Sequence, residues 1–177
     1  MVKKACAYAL KMVQSNPWYP KIARKLISGI EIKKAGDEET AKICNSVNKK
    51  HKGLILPGPN TACFIARNKR KTVGYIFLVK HHPNASSFYR YWLSTLWVAP
   101  FYRRLGIGRV LMKIAMDEAR AQKAKQLYIL VNQANERALP LYIELGFTPA
   151  SIPEISEYLE EEKKLTGIDK MAMVTGF

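Results

Sequence analysis

"APFYRRLGIGRVLMKIAMDEA", residues 99–119, sets two glycines, Gly106 and Gly108, one residue apart between basic side chains and an amphipathic run. Beyond them Ile107, Val110, Leu111, Ile114, Ala115 and Ala119 recur at helical spacing, with Arg109, Lys113, Asp117 and Arg120 opposite. The spacing predicts a helix that starts near Gly108. Just before it, "RYWLSTLWV" at 90–98 is rich in aromatic and β-branched residues, as strands are, and Pro100 stops it. Strand, glycine loop and helix therefore follow in order. A Gly-x-Gly at a helix mouth brings free backbone N–H groups and the positive end of the helix dipole close to an anion.

The flanking sequence supplies the rest of a sheet. "IEIKKAG" at 30–36 reads as a strand, and "DEETAKICNSVNKKH" at 37–51 as a helix with Asp37 as its N-cap. "GLILPGPNT" at 53–61 is punctuated by Gly and Pro and reads as loop. Residues 62–82 form two β-rich runs around a polar "RNKRK", a hairpin. "QLYILV" at 126–131 is a short continuous apolar run, as a strand buried on both faces would be. "NERALPLYIELGF" at 135–147 reads as a helix capped by Asn135 and closed by Gly146, its start disturbed by Pro140. "PEISEYLEEEKKL" is a charged helical excursion and "DKMAMVTGF" a last strand. The order β-α, hairpin, β-α-β-α-β predicts an α/β fold, a mixed sheet with helices on both faces.

At 177 residues the chain is long enough for one domain with its own core. Residues 1–28 read as a helical extension to a domain over 29–177. Val2, Ala5, Cys6, Ala9, Leu10 and Val13 fall at helical spacing, "SNPWYP" breaks the run, and Ile22, Leu26 and Ile27 suggest a second short helix. The extension would pack on the domain or on a second subunit, giving a homodimer, or serve as a basic arm. Lys11 interrupts its apolar stretch and no small-residue cleavage site follows, which argues against a targeting segment and for a cytoplasmic protein. No apolar run approaches the roughly 18 residues of a membrane span. Cys6, Cys44 and Cys63 show no ligand-like spacing and read as free, buried thiols, so no metal is expected. The net charge of +15, from 29 basic and 14 acidic side chains, admits nucleic acid or a highly charged anionic cofactor as a partner.

The two glycines match neither common nucleotide motif. GxGxxG needs a third glycine where Leu111 stands, and no GxxxxGK[ST] run exists. "RRLGIG", Arg103 to Gly108, has instead the spacing [QR]-x-x-G-x-[GA]. That spacing resembles the acetyl-CoA signature of the GNAT N-acetyltransferase superfamily. "NERALPLYIELGF" is similar to the family's second block, N-x-x-A-x-x-LY-x-x-x-GF, in the same order and at the usual separation. The likeness is close over 99–147 and looser over the element order of 30–177.

The resemblance implies a GNAT-like acyl-CoA N-acyltransferase fold with a mostly antiparallel central sheet. It implies acetyl-CoA as co-substrate, with the backbone amides of Arg104, Leu105, Gly106, Ile107, Gly108 and Arg109 around the pyrophosphate and Arg103 and Arg104 at the rim. Leu96, Trp97 and Val98 would pair with the pantetheine through their backbone, in a slot opened by a splay against 126–131, and Asn135 would reach the pantetheine arm. Tyr142, seven residues after Asn135, would be the catalytic general acid that protonates the departing thiolate. A backbone N–H near Val98 would hold the oxyanion.

The family's base positions carry Ser94, beside Thr95, and Leu130, none of them a base; His81, His82 or water held by Ser94 or Thr95 stay open for that role. The function implied is transfer of an acetyl group to a primary amine of a small molecule or protein by direct attack on the thioester. Two alternatives stand beside it: a non-catalytic acyl-CoA sensor, and a nucleic-acid or ribosome-associated protein. Substrate loops map to 51–61, 81–90 and 148–168.

Overall fold

The computed structural model describes residues 28–51, 55–81 and 90–177. The expected helical extension therefore lies, but for Ser28, outside the described residues, as does His82. Among the described residues seven strands form one sheet: β1 (Ile30–Lys34), β2 (Thr61–Asn68), β3 (Lys71–Lys80), β4 (Tyr91–Val98), β5 (Gln126–Asn132), β6 (Thr148–Ala150) and β7 (Lys170–Gly176). Their order is β1-β2-β3-β4-β5-β7-β6. Every neighbouring pair is antiparallel except β4 and β5. A parallel pair needs a crossover, and helix α2 (Ile107–Ala121) supplies it. The sheet is thus mixed and mostly antiparallel, as expected.

Alternation along the strands explains the layers. On one face Phe64, Ile76, Leu78, Leu127 and Ile129 pack beneath Val110, Leu111 and Ala115 of α2, with Leu141 and Tyr142 of the short helix α3 (Leu139–Glu144) against the same cluster. On the other face Cys63, Ile65 and Phe77 meet Cys44 and Val47 of α1 (Asp37–His51). Trp92, Tyr128 and Ala172 there meet Ile155 of α4 (Pro153–Thr166). Helices cover both faces, and β5 is buried on both, as its continuous apolar run implies. Cys44 and Cys63 are buried free thiols; burial pushes the Cys63 thiol up to about 12.

Three local expectations are corrected. Helix α1 begins at Asp37, and Thr40 N–H donates to the Gly36 carbonyl. Asp37 is therefore a first-turn residue beside Glu38 and Glu39, where its charge suits the dipole, and Gly36 takes the cap. The helix expected over 135–147 is shorter, running from Leu139 to Glu144. Pro140 lacks an N–H and suits only a first turn, so the chain makes turns over 135–138 before the helix starts. Finally, within 148–168, mapped as a substrate loop, β6 pairs with β7; the helical excursion expected at "PEISEYLEEEKKL" is there as α4, which seats Ile155 in the core. "TPA" carries no alternation of its own, so its strand comes from the β7 edge beside it.

Gly74 on β3 lets α2 lie close on the sheet. A Cβ there would stand 3.1 Å from the Trp97 carbonyl oxygen, 3.2 Å from Leu111 Cδ1 and 3.4 Å from Ile107 Cγ2. The nearest of these is backbone and cannot swing aside. Gly74→Val is expected to destabilise the fold by about 2 kcal/mol through overpacking, read as a lower denaturant midpoint at unchanged m.

Candidate active site

The site begins with a fault in β4. Tyr75 faces Trp97 and Phe77 faces Ser94, so Ile76 opposes two residues, Thr95 and Leu96. That is a β-bulge, and Thr95 takes it in the left-handed region at φ 51°. A β-branched residue there is strained by about 1–2 kcal/mol. The bulge turns the second half of β4 away from β5. The two strands pair only at Trp92 with Tyr128 and Leu93 with Ile129, although both run several residues further.

Side chains of the splayed half are spoken for, which leaves its backbone to face the gap. Leu96 and Val98 pack against the core under α2, and Trp97 stacks on Tyr75 with ring centroids 5.2 Å apart. Ala99 N–H donates to the Val73 carbonyl at 2.8 Å. Val98, one residue earlier, therefore turns its own N–H and C=O away from β3, toward the gap. The Val98 carbonyl accepts from Arg103 Nε at 2.9 Å.

The glycine loop stands at the end of this gap. Gly106 occupies the helix cap at φ 81°, a backbone that a side chain would strain, and Arg104 stands at φ 61°. The first bond of α2 runs from Val110 N–H to the Gly106 carbonyl, so the amides of Ile107, Gly108 and Arg109 precede the helical ladder. A Cβ on Gly108 would meet only ordinary contacts, the nearest Leu96 Cδ2 at 3.7 Å. The packing leaves room for a small side chain there, which agrees with a motif that admits alanine at this position, while the free first-turn amides stay open to an anion.

The opposite wall comes from α3. Gly146 ends it left-handed, with Phe147 N–H donating to the Tyr142 carbonyl and Gly146 N–H to the Ile143 carbonyl. That ending folds Phe147 back into the core, where its ring meets Tyr142 edge-on at 6.3 Å. Arg109 pairs with Glu144, tying the first turn of α2 to the last of α3. Tyr142 then closes a cavity of about 140 Å³ with Ile76, Leu93, Ser94, Thr95, Leu96, Met112, Ile129 and Leu130. Burial pushes the Tyr142 phenol above its ordinary value, so it stays protonated. Ser94 and Thr95 bring their hydroxyls within 3.2 Å of each other on the wall.

The structure thus brings together Tyr142, Leu96 and the Ser94–Thr95 pair around one cavity, with Val98 and the glycine loop at its end. His81 is set apart: its N–H bonds the Arg90 carbonyl, four residues before Ser94, or roughly 13 Å along the strand. Asn135 does not cap α3; its carbonyl accepts from Ala138 and Leu139 at the turn before the helix. Sequence reasoning missed Ile76, Leu93, Met112 and Ile129 as cavity walls, because they read as ordinary core. It also missed Asn68, whose Nδ2 donates to Tyr102 Oη at 2.9 Å and docks the β2–β3 turn on the glycine loop. Among the described residues no group of three or more His, Cys, Asp or Glu is placed to hold a metal ion, and no helix is long and apolar enough to cross a membrane.

Comparison with known proteins agrees with this geometry. The sequence model of the Acetyltransferase (GNAT) family matches residues 29–147. The chain is 37% identical over 60 residues to the ribosomal protein bS18 alanine N-acetyltransferase of Escherichia coli K12, covering 34% of this chain and 40% of that one. It is 46% identical over 50 residues to streptothricin acetyltransferase of Streptomyces lavendulae, 28% of this chain and 26% of the relative. The matched stretches thus span well under half the length of these curated relatives. The crystal structure of Arabidopsis thaliana NAA60 in complex with acetyl-CoA shares the fold, with a TM-score of 0.62 over 84% of this chain and 98% of that one at 12% identity.

Burial of Tyr142 has a spectroscopic consequence. In an alkaline titration followed by phenolate absorbance, its phenolate is expected to form above the ordinary tyrosine value of about 10. Tyr142→Phe should remove amplitude from the high-pH part of the curve and leave the early part unchanged.

Proposed function

From a chain that belongs to the GNAT acetyltransferase family, we propose an enzyme that moves an acetyl group from acetyl-CoA to a primary amine by direct attack on the thioester. The observation that carries this reading is the splay between β4 and β5, where unpaired backbone and a buried phenol line one cavity and the glycine loop stands beside Leu96 and Val98. The chain's groups fit the co-substrate. The first-turn amides and the open space at Gly106 suit a pyrophosphate, with Arg103 and Arg104 at its rim. The backbone of Leu96 to Val98 suits the amides of a pantetheine arm, and the family's motif assigns Asn135 to the same arm. Bound there, acetyl-CoA supplies an activated acyl group.

The residues divide the remaining work. The Val98 N–H, aimed at the gap, holds the carbonyl oxygen as negative charge grows on it. Tyr142 gives its proton to the sulfur as the C–S bond breaks, and its raised pKa keeps that proton available near neutral pH. The attacking ammonium loses its proton to solvent at the Ser94 and Thr95 hydroxyls, which stand on the cavity wall where His81 does not reach. The named relatives act on a protein alanine and on streptothricin, so small-molecule and protein amines are both candidate acceptors. The reading takes the enzyme to be cytoplasmic.

Variants at two positions test it. Tyr142→Phe is expected to lower kcat about a hundredfold while KM for acetyl-CoA holds within about twofold. An unchanged kcat would remove Tyr142 as the acid. Binding of coenzyme A without turnover on any amine panel would make the protein a holder of acyl-CoA instead. Gly108→Ala should fold and bind coenzyme A like the parent, since the motif admits alanine there and its Cβ meets only ordinary contacts, whereas Gly108→Glu, which sets a carboxylate at the first turn, should bind coenzyme A about tenfold more weakly. Calorimetric titration beside a thermal melt separates the two effects.

A further inference from the structure

Coenzyme A carries a phosphate monoester on its ribose in addition to the pyrophosphate. Resting on the reading above that this chain takes acetyl-CoA, we propose that the β2–β3 turn binds this third phosphate through Lys69, Arg70 and Lys71, with Arg104 alongside.

Three observations converge on that turn. It is held against the glycine loop by the hydrogen bond from Asn68 to Tyr102, so its position relative to the helix mouth is set before any ligand arrives. Its cations are exposed and carry no carboxylate partner. Among the described residues the ion pairs engage Lys34, Lys42, Arg67, Arg90, Arg109, Arg120, Lys163 and Lys170. Lys69, Arg70 and Lys71 appear in none, and all three are exposed on one turn. Such crowding is self-repulsive unless an anion joins it.

The third observation is the backbone. Lys69 stands at φ 55°, a conformation that glycine or asparagine would adopt at less strain. The turn therefore holds a charge where its geometry favours a residue without one. A phosphate monoester, with close to two negative charges and three acceptor oxygens, matches several lysine and arginine donors better than a single carboxylate does.

The test compares coenzyme A with dephospho-coenzyme A, which lacks only the ribose phosphate. By calorimetry the parent protein is expected to bind coenzyme A about tenfold more tightly than the dephospho form. In the triple variant Lys69→Gly, Arg70→Ser, Lys71→Ser that preference should vanish, while affinity for dephospho-coenzyme A stays unchanged. Equal affinities in the parent protein would overturn the proposal, whatever the variant does. So would a preference that survives in the variant. A single-stranded RNA oligonucleotide provides a second arm. If the variant loses RNA binding but keeps its preference for coenzyme A, the turn serves a nucleic acid and the proposal fails. Turnover is read separately: a parent protein that shows the preference but acetylates no amine keeps the phosphate site and loses the acetyltransferase reading.

Discussion

The parting of β4 from β5 is the constraint on which the rest depends. Two neighbouring parallel strands would ordinarily bond along their whole shared length. Here they bond over two residue pairs and then diverge. Each backbone bond not made in an interior forgoes about 1 kcal/mol and leaves a donor or acceptor to be satisfied elsewhere. The fold sustains this because the separated strands are buried by other means. Leu96 and Val98 lie under α2, Trp97 lies on Tyr75, and β5 is fully paired with β7 on its other edge. The hydrophobic layers hold the strands in place, so the backbone between them need not.

That arrangement brings the two motif-bearing blocks of sequence to one gap from opposite sides. The glycine loop reaches it from the end of β4. The LYIELGF block reaches it across α3, whose left-handed ending sends Phe147 inward and leaves Tyr142 over the cavity. The Arg109–Glu144 pair joins the blocks directly. An exposed pair of this kind contributes little to stability, about 1 kcal/mol at most. Its effect is to hold α3 and the mouth of α2 together.

Much of this was legible in the sequence, and the boundary of legibility is physical. The succession of elements and the helix at 107–121 could be read because burial imposes a period on apolar residues such as Val110, Leu111 and Ala115. The glycine loop could be read because close backbone approach restricts residue type. The bulge could not. Thr95 is an ordinary strand residue by propensity, and its left-handed backbone arises from pairing with Ile76 on another strand. Met112 and Ile129 likewise read as core and became cavity walls only because the strands beside them part. The shift of the helix start to Leu139 was half visible: Pro140 announced a disturbance, but its extent was set by tertiary contacts. β6 was invisible, since three residues hold no period.

The strain at Thr95 also bears on the chemistry. A glycine would meet the left-handed backbone of the bulge with less strain, so threonine there gives up stability for its side chain. What that side chain provides is a hydroxyl on the cavity wall, 3.2 Å from that of Ser94. The same pattern appears at Lys69, where a strained backbone carries a lysine beside the glycine loop. In both places the backbone geometry would favour a smaller residue and the chain keeps a functional group. The two positions lie at opposite parts of the proposed binding track, one at the acyl cavity and one at its phosphate end. Of the described non-glycine residues with left-handed backbone, Lys69, Thr95 and Arg104 stand along the proposed track, while Lys123 follows the far end of α2, where a left-handed residue simply ends the helix.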